Sequence, residues 1–371
     1  MSDITALIVV FLLGIPLFLY KSVYLKLFVI VMWYPMLILA FFLNGFPMPG
    51  ILGMHEIQLN GFIASIGLQY YMVGYTLFCA MLFPLRKKKI VLPRLKIKDR
   101  TRYLLLGLAV IGAIPLLNTH SETGIKTATA YLIFSVFLLL SHGKKDAIWL
   151  FQLCLSMSLI VLGERVDSLL IVVLLFLVKG KEKNVHDVNN KKIYFGGILF
   201  FVILVAVGYT RGNESFTIDM LVNSFVSQRT VCDVTYIYLT SISYVLDHGC
   251  NIEIVKPLFL GVLPGEGVTS PWYYTNFLSK YMYNPGGGLF FSEGVIAIGL
   301  FGVVVYIAAF ALILRKIFNS RNNYCSIILV FFCVMACRVT WYGMIYIYKP
   351  LLLGYVLYKI FNLKKYIVHC S

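Results

Sequence analysis

Apolar residues fall in long runs along this chain, at 4–20, 27–44, 61–84, 103–118, 127–142, 147–162, 168–178, 194–210, 289–313, 324–337 and 350–361, separated by short and mostly basic polar clusters. A bilayer's hydrocarbon core is crossed by about 20 apolar helical residues. Inside it every backbone polar group has to be satisfied within the segment. The pattern therefore predicts an all-α, polytopic integral membrane protein of about eleven spans, with residues 1–371 forming one membrane domain. The first run has no basic flank before it and no small-residue cleavage site after it, so it reads as a retained span.

Composition agrees, with 60% hydrophobic, 15% aromatic and only 13% charged residues. A soluble domain of this length carries about twice that charged fraction. The net charge of +16 does not indicate nucleic acid, because the cations sit between apolar runs rather than on one soluble face. Of the eight cysteines, Cys79, Cys154, Cys325, Cys333 and Cys337 lie in or beside apolar runs, and no CxxC spacing occurs. No zinc site is expected, and no acidic cluster suggests another metal.

The loop at 86–102 holds nine Lys/Arg and fixes one cytoplasmic anchor. Alternation from it puts the N-terminus outside and the C-terminus inside. The inner side then holds 24 of the 32 Lys/Arg and 4 of the 16 Asp/Glu. Val231 to Leu246 is apolar enough to be a span. Counting it as a span would place Arg315, Lys316 and Arg321 outside, so it reads as an interfacial or re-entrant helix. The long outer loop, residues 211–288, is where chemistry is expected.

Lys126, Arg165, Arg211, Arg229, Lys256, Lys280, Arg338 and Lys349 are the outer cations. Arg165 stands in a tight turn, Arg211 directly follows a span, and Arg338 lies in a largely apolar stretch. A cation that deep costs about 2.5–3.5 kcal/mol or more unless it faces a cavity or partner. A guanidinium fork suits phosphate geometry, so these arginines are candidates for holding a phosphate or pyrophosphate. The alternative is pairing of Arg165 with Glu164 or Asp167 and snorkelling of the others.

Glu293 follows the run Gly286, Gly287, Gly288, Leu289, Phe290, Phe291 and Ser292 at the start of the ninth apolar run. It is a candidate proton acceptor, or else one half of an ion pair with an outer arginine. Gly294, Gly299 and Gly302 suit close helix packing. His248 beside Asp247 is a second candidate base. Trp272, Tyr273, Tyr274, Phe277, Tyr281 and Tyr283 read as an interfacial aromatic belt, with stacking on sugars as the alternative. Cys232 and Cys250 are candidates for a disulfide.

This layout resembles the Wzy-type O-antigen and capsule polymerases of bacterial inner membranes. The most specific local match is Gly286 to Gly302, GGGLFFSEGVIAIGLFG, similar to the family's glycine-rich stretch followed by Glu and an aliphatic helix. Arg165 also resembles a recurrent family position. The resemblance implies a GT-C-type glycosyltransferase fold in the cell inner membrane. It implies periplasmic joining of undecaprenyl-pyrophosphate-linked oligosaccharides during lipopolysaccharide or capsule synthesis. No cofactor or metal is implied, and the expected partners are lipid-linked sugars, membrane lipids, a chain-length regulator and a flippase. On this reading Glu293, Arg338, Arg165 and Arg211 are catalytic, and Arg229, Gly286, Gly287, Gly288 and His248 bind substrate. An O-antigen ligase and a polytopic lipid or sugar transporter remain the alternatives.

Topology is directly testable. Reporter fusions after Arg94, Lys183 and Lys316 are expected to report cytoplasm, and fusions after Glu214, Glu266 and Lys349 periplasm. A cytoplasmic signal after Glu266 would overturn the loop assignment.

Overall fold

The computed structural model describes residues 3–46, 61–88, 94–117, 124–141, 147–162, 168, 170–175, 229–260, 270–279, 287–320, 323–343, 352, 354–356, 358–360 and 367–368. Its helices are α1 (Asp3–Leu12), α2 (Pro16–Leu19), α3 (Val23–Leu43), α4 (Gly61–Leu82), α5 (Asp99–Leu117), α6 (Gly124–Ser141), α7 (Ala147–Leu162), α8 (Arg229–His248), α9 (Lys256–Leu260), α10 (Tyr274–Leu278), α11 (Ser292–Ile298), α12 (Phe301–Asn319), α13 (Asn323–Val334) and α14 (Ala336–Tyr342). The chain is overwhelmingly helical. Among the described residues the extended structure is one short antiparallel pairing, Arg94–Leu95 with Ile367–Val368. Among the described residues, three helices are long and apolar enough to cross a membrane: α3, α4 with its 3-10 extension to Leu85, and α12. The expected span at 194–210 lies outside the described residues.

Three expected spans are divided, the first of them, 4–20, into α1 and α2. The run 289–313 forms α11 and α12, because Gly299 between them adopts φ +76, a conformation that other residues rarely adopt. The run 324–337 is split at Met335 into α13 and α14. The chain clusters into two compact units. One comprises residues 1–90, 223–320 and 336–349, and the other 91–222, 321–335 and 350–371.

In the second unit α5 packs on α6, and Tyr131 of α6 anchors a buried polar group. Its hydroxyl lies 3.0 Å from Ser156 Oγ, and Ser168 Oγ donates to it at 3.5 Å. Gln152 Nε2 donates to Ser135 O at 2.8 Å. Each bond offsets the cost of removing a polar side chain from water.

In the first unit α3, α4 and α12 share an aromatic core. Phe28, Phe78 and Phe310 meet at centroid distances of 6.1 Å. Gly74 of α4 faces Ile307 of α12, and Lys88 Nζ donates to Phe318 O at 2.5 Å and Asn319 Oδ1 at 3.2 Å. These contacts set α4 parallel to α12 and close the α12 C-terminus with a cation, where the helix dipole favours one.

Helix α8 runs across these spans rather than along them. Its first turn lies by Tyr34 of α3, its middle residues Leu239 and Ile242 cover Gly67 of α4, and Cys250 just beyond its end touches Gly299. Gly67 and Gly299 lie about 10–12 Å along their helices from the Gly74–Ile307 contact, in the same direction. The middle and end of α8 therefore share one level. It is buried on every face from Val231 to Ile242, so it is enclosed by protein. Its polar residues tolerate this because Thr235, Thr240 and Ser241 donate back to Val231 O, Tyr236 O and Tyr238 O at 2.7, 3.1 and 2.6 Å.

The geometry of α8 also removes the expected Cys232–Cys250 bridge. The two cysteines stand at opposite ends of the helix, about 27 Å apart along its axis, far beyond the reach of a disulfide. Both are free thiols, Cys232 buried and Cys250 exposed. Non-reducing alkylation with mass spectrometry is expected to label Cys250 in the folded protein and Cys232 only after unfolding. A linked 232–250 peptide would contradict the fold of α8.

Candidate functional site

The segment from Gly287 to Phe291 is buried throughout, and its backbone is tied to three helices. The Leu289 amide donates to Val234 O of α8 at 3.4 Å, and the Phe290 amide donates to Thr340 O of α14 at 3.0 Å. The Tyr274 hydroxyl of α10 donates to Gly288 O at 2.5 Å. A side chain at Gly288 would meet Ile237 at 2.5 Å and Tyr274 at 2.8 Å, so only glycine lets the backbone pass here.

Two aromatic rings then fix the segment. Phe291 packs edge-on against Tyr71 and Tyr238 at 4.7 and 4.9 Å, and Phe290 against Phe310 at 5.2 Å. Tyr71 is itself held by its hydroxyl, which donates to Met32 O at 2.6 Å. The result is a rigid base directly ahead of α11.

Helix α11 folds back on α12 through Gly294 and Gly302, whose backbones touch; a Cβ at Gly302 would overlap the Gly294 carbonyl. The expectation that these glycines serve helix packing holds. The far end of α11 is secured by the Asn251 amide, which donates to Ile296 O at 2.7 Å.

Glu293 sits in the first turn of α11 and is 2% exposed. Among the described residues it has no hydrogen-bond or ion-pair partner. The expected alternative, an ion pair with an outer arginine, is therefore not formed among them. Ser292 beside it is fully buried, and its Oγ makes no hydrogen bond. Asp233 of α8 is a second buried carboxylate, 4% exposed, which in the sequence is only one of several acidic residues spread along the long outer loop.

Arg338 lies half-buried on α14, two residues before the Thr340 carbonyl that holds Phe290. This bond puts the arginine-bearing helix beside the segment that carries Glu293. His248 is different. It is exposed at the end of α8 with its ring stacked on Tyr244 at 4.9 Å and 8°. Gly287 and Gly288 lie in the buried segment. Arg165, Arg211 and Gly286 lie outside the described residues, and Arg229 is described only as the first residue of the α8 backbone.

The aromatic belt is corrected in part. Tyr273, Tyr274 and Phe277 are buried, and Phe277 packs against Tyr244 at 5.2 Å. Tyr274 braces the Gly288 segment and Tyr273 packs on Tyr274, so these rings are part of the core. Tyr281 and Tyr283 lie outside the described residues.

Removing the Tyr274 hydroxyl tests this bracing. Tyr274→Phe would leave the Gly288 carbonyl buried without its donor, at a cost of about 1–3 kcal/mol. A lower melting temperature in detergent is expected, and an unchanged one would count against the bond. Comparison with family models, with curated proteins and with solved structures finds no match to this chain.

Proposed function

We propose that this chain is a metal-independent glycosyltransferase that polymerises undecaprenyl-pyrophosphate-linked oligosaccharide repeat units on the periplasmic face of a bacterial inner membrane, with a GT-C-type fold. The observation that carries this reading is Glu293: a carboxylate 2% exposed, without a partner among the described residues, on a short helix that follows a glycine run. Ionisable groups inside membrane proteins are costly and mark functional sites.

In the proposed step a hydroxyl of the acceptor repeat unit attacks the anomeric carbon of the lipid-linked donor chain. The new C–O glycosidic bond forms as the bond from that carbon to the pyrophosphate oxygen breaks. The hydroxyl proton passes to Glu293, and the electron pair of the broken bond leaves with the lipid pyrophosphate. Arg338, Arg165 and Arg211 stabilise the negative charge that develops there. Arg229 and the backbone of Gly286, Gly287 and Gly288 bind substrate, while His248, exposed at the end of α8, would touch only sugars reaching past the buried segment.

Two substitutions test the roles. Glu293→Gln keeps the shape and removes the base, and losing a positioned base costs about 10²–10⁴ in rate. Arg338→Lys keeps the charge and loses the bidentate fork, so polymer should fall sharply with normal membrane abundance. Both are read from the lipopolysaccharide ladder of a complemented deletion strain, with abundance checked by blot. Full ladders from both variants would reduce these residues to scaffolding. The uncomplemented strain separates the alternatives: polymerase loss leaves one repeat unit on the core, and ligase loss leaves the core bare.

A further inference from the structure

Helix α12 is long and apolar enough to span a bilayer, and as a span its start would mark one boundary of the apolar core. The helix has 19 residues, about 28 Å at 1.5 Å per residue, which matches a hydrocarbon thickness of about 30 Å. One of its faces is exposed along Phe301, Val305 and Leu312, with Phe301 64% exposed. In a spanning helix that face meets lipid.

The 3-10 turn Ile252–Val255 and helix α9 are pinned at the same level. The Asn251 amide donates to Ile296 O at 2.7 Å, and a Cβ on Gly299 would lie 3.5 Å from Cys250 Sγ. Ile254 and Pro257 turn into the protein, which fixes the orientation of the segment. The outward apolar side chains are Ile252, Leu260 and Phe259, the last 78% exposed, with the Lys256–Glu253 pair exposed between them. Leu246 and Ile298, on either side of the Asn251 contact, are exposed as well. These residues continue the lipid-facing strip of α12 around its end.

The polar groups of the segment suit the layer just above. Lys256 Nζ pairs with Glu253 Oε1 at 2.8 Å and lies 5.0 Å over the Trp272 ring. Lysine and tryptophan are the side chains that membrane–water interfaces favour. An apolar patch of this kind facing water would instead be an association liability.

We propose that residues 252–260 form an interfacial anchor, with Ile252, Phe259 and Leu260 inserted among lipid acyl chains at the α12 N-terminal end and Lys256 and Trp272 at headgroup level. Because Asn251 holds Ile296, the anchor also sets the depth of α11. Gly294 touches Gly302, the second residue of α12, so Glu293 beside it lies close to the level of that boundary. The anchor requires no assumption about the reaction.

Photo-crosslinking in native membranes tests it. Benzoylphenylalanine is introduced singly at Phe259, at Leu260 and, as the lipid-facing control, at Phe301. All three side chains are exposed, so replacement leaves the packing intact. Mass spectrometry after irradiation is expected to find phospholipid adducts at position 259 or 260 in yields comparable with those at 301. Adducts at 301 alone, or crosslinks from both 259 and 260 to another polypeptide, would overturn the anchor whatever the fate of the glycosyltransferase reading.

Discussion

The contact between Gly294 and Gly302 is the constraint on which the candidate site depends. Without side chains there, two helix backbones meet and α11 folds back along α12. The reversal itself needs Gly299 in the left-handed region. This hairpin carries a glutamate into the protein interior without making it part of a spanning helix. Any larger residue at position 302 would force α11 away, and Glu293 with it.

Around the hairpin, the first unit uses backbone carbonyls as its polar anchors. Tyr71, Tyr238 and Tyr274 each donate a hydroxyl to a carbonyl, those of Met32, Gly67 and Gly288. Threonine and serine hydroxyls of α8 bond back within their own helix. In an interior with little water, each such bond avoids the cost of an unsatisfied polar group. Not every buried hydroxyl is satisfied: the oxygens of Ser22, Ser135 and Ser292 make no hydrogen bond among the described residues. Glu293 differs from these in being ionisable, and an ionisable group without a partner among the described residues of a membrane-type core is where function is most reasonably sought.

The same framework ties the buried site to an exposed apolar surface. Asn251 links α11 to the segment that follows α8, and that segment presents Phe259 and Leu260 outward. On the anchoring proposed above, one short stretch of chain sets both the depth of the carboxylate and the lipid contact of that surface.

Hydropathy and charge determined the helical, membrane-type character of the chain, because long apolar helices can be read one residue after another. They also singled out Glu293, since an acidic residue inside an apolar run is visible without knowing its neighbours, and they gave Gly294 and Gly302 a packing role. Tertiary structure decided the rest. The break at Gly299 depends on a backbone angle that one residue's identity only permits. Burial of α8 and of Asp233 depends on elements far away in the chain, so the sequence left Val231 to Leu246 open between an interfacial and a re-entrant helix. Tyr273, Tyr274 and Phe277 looked like a belt for the same reason: an aromatic ring suits an interface and a core equally well, and only the surrounding helices choose between them. The distance between Cys232 and Cys250 followed from the helix that separates them, since 18 residues in a helix span a length that the same residues in a loop need not.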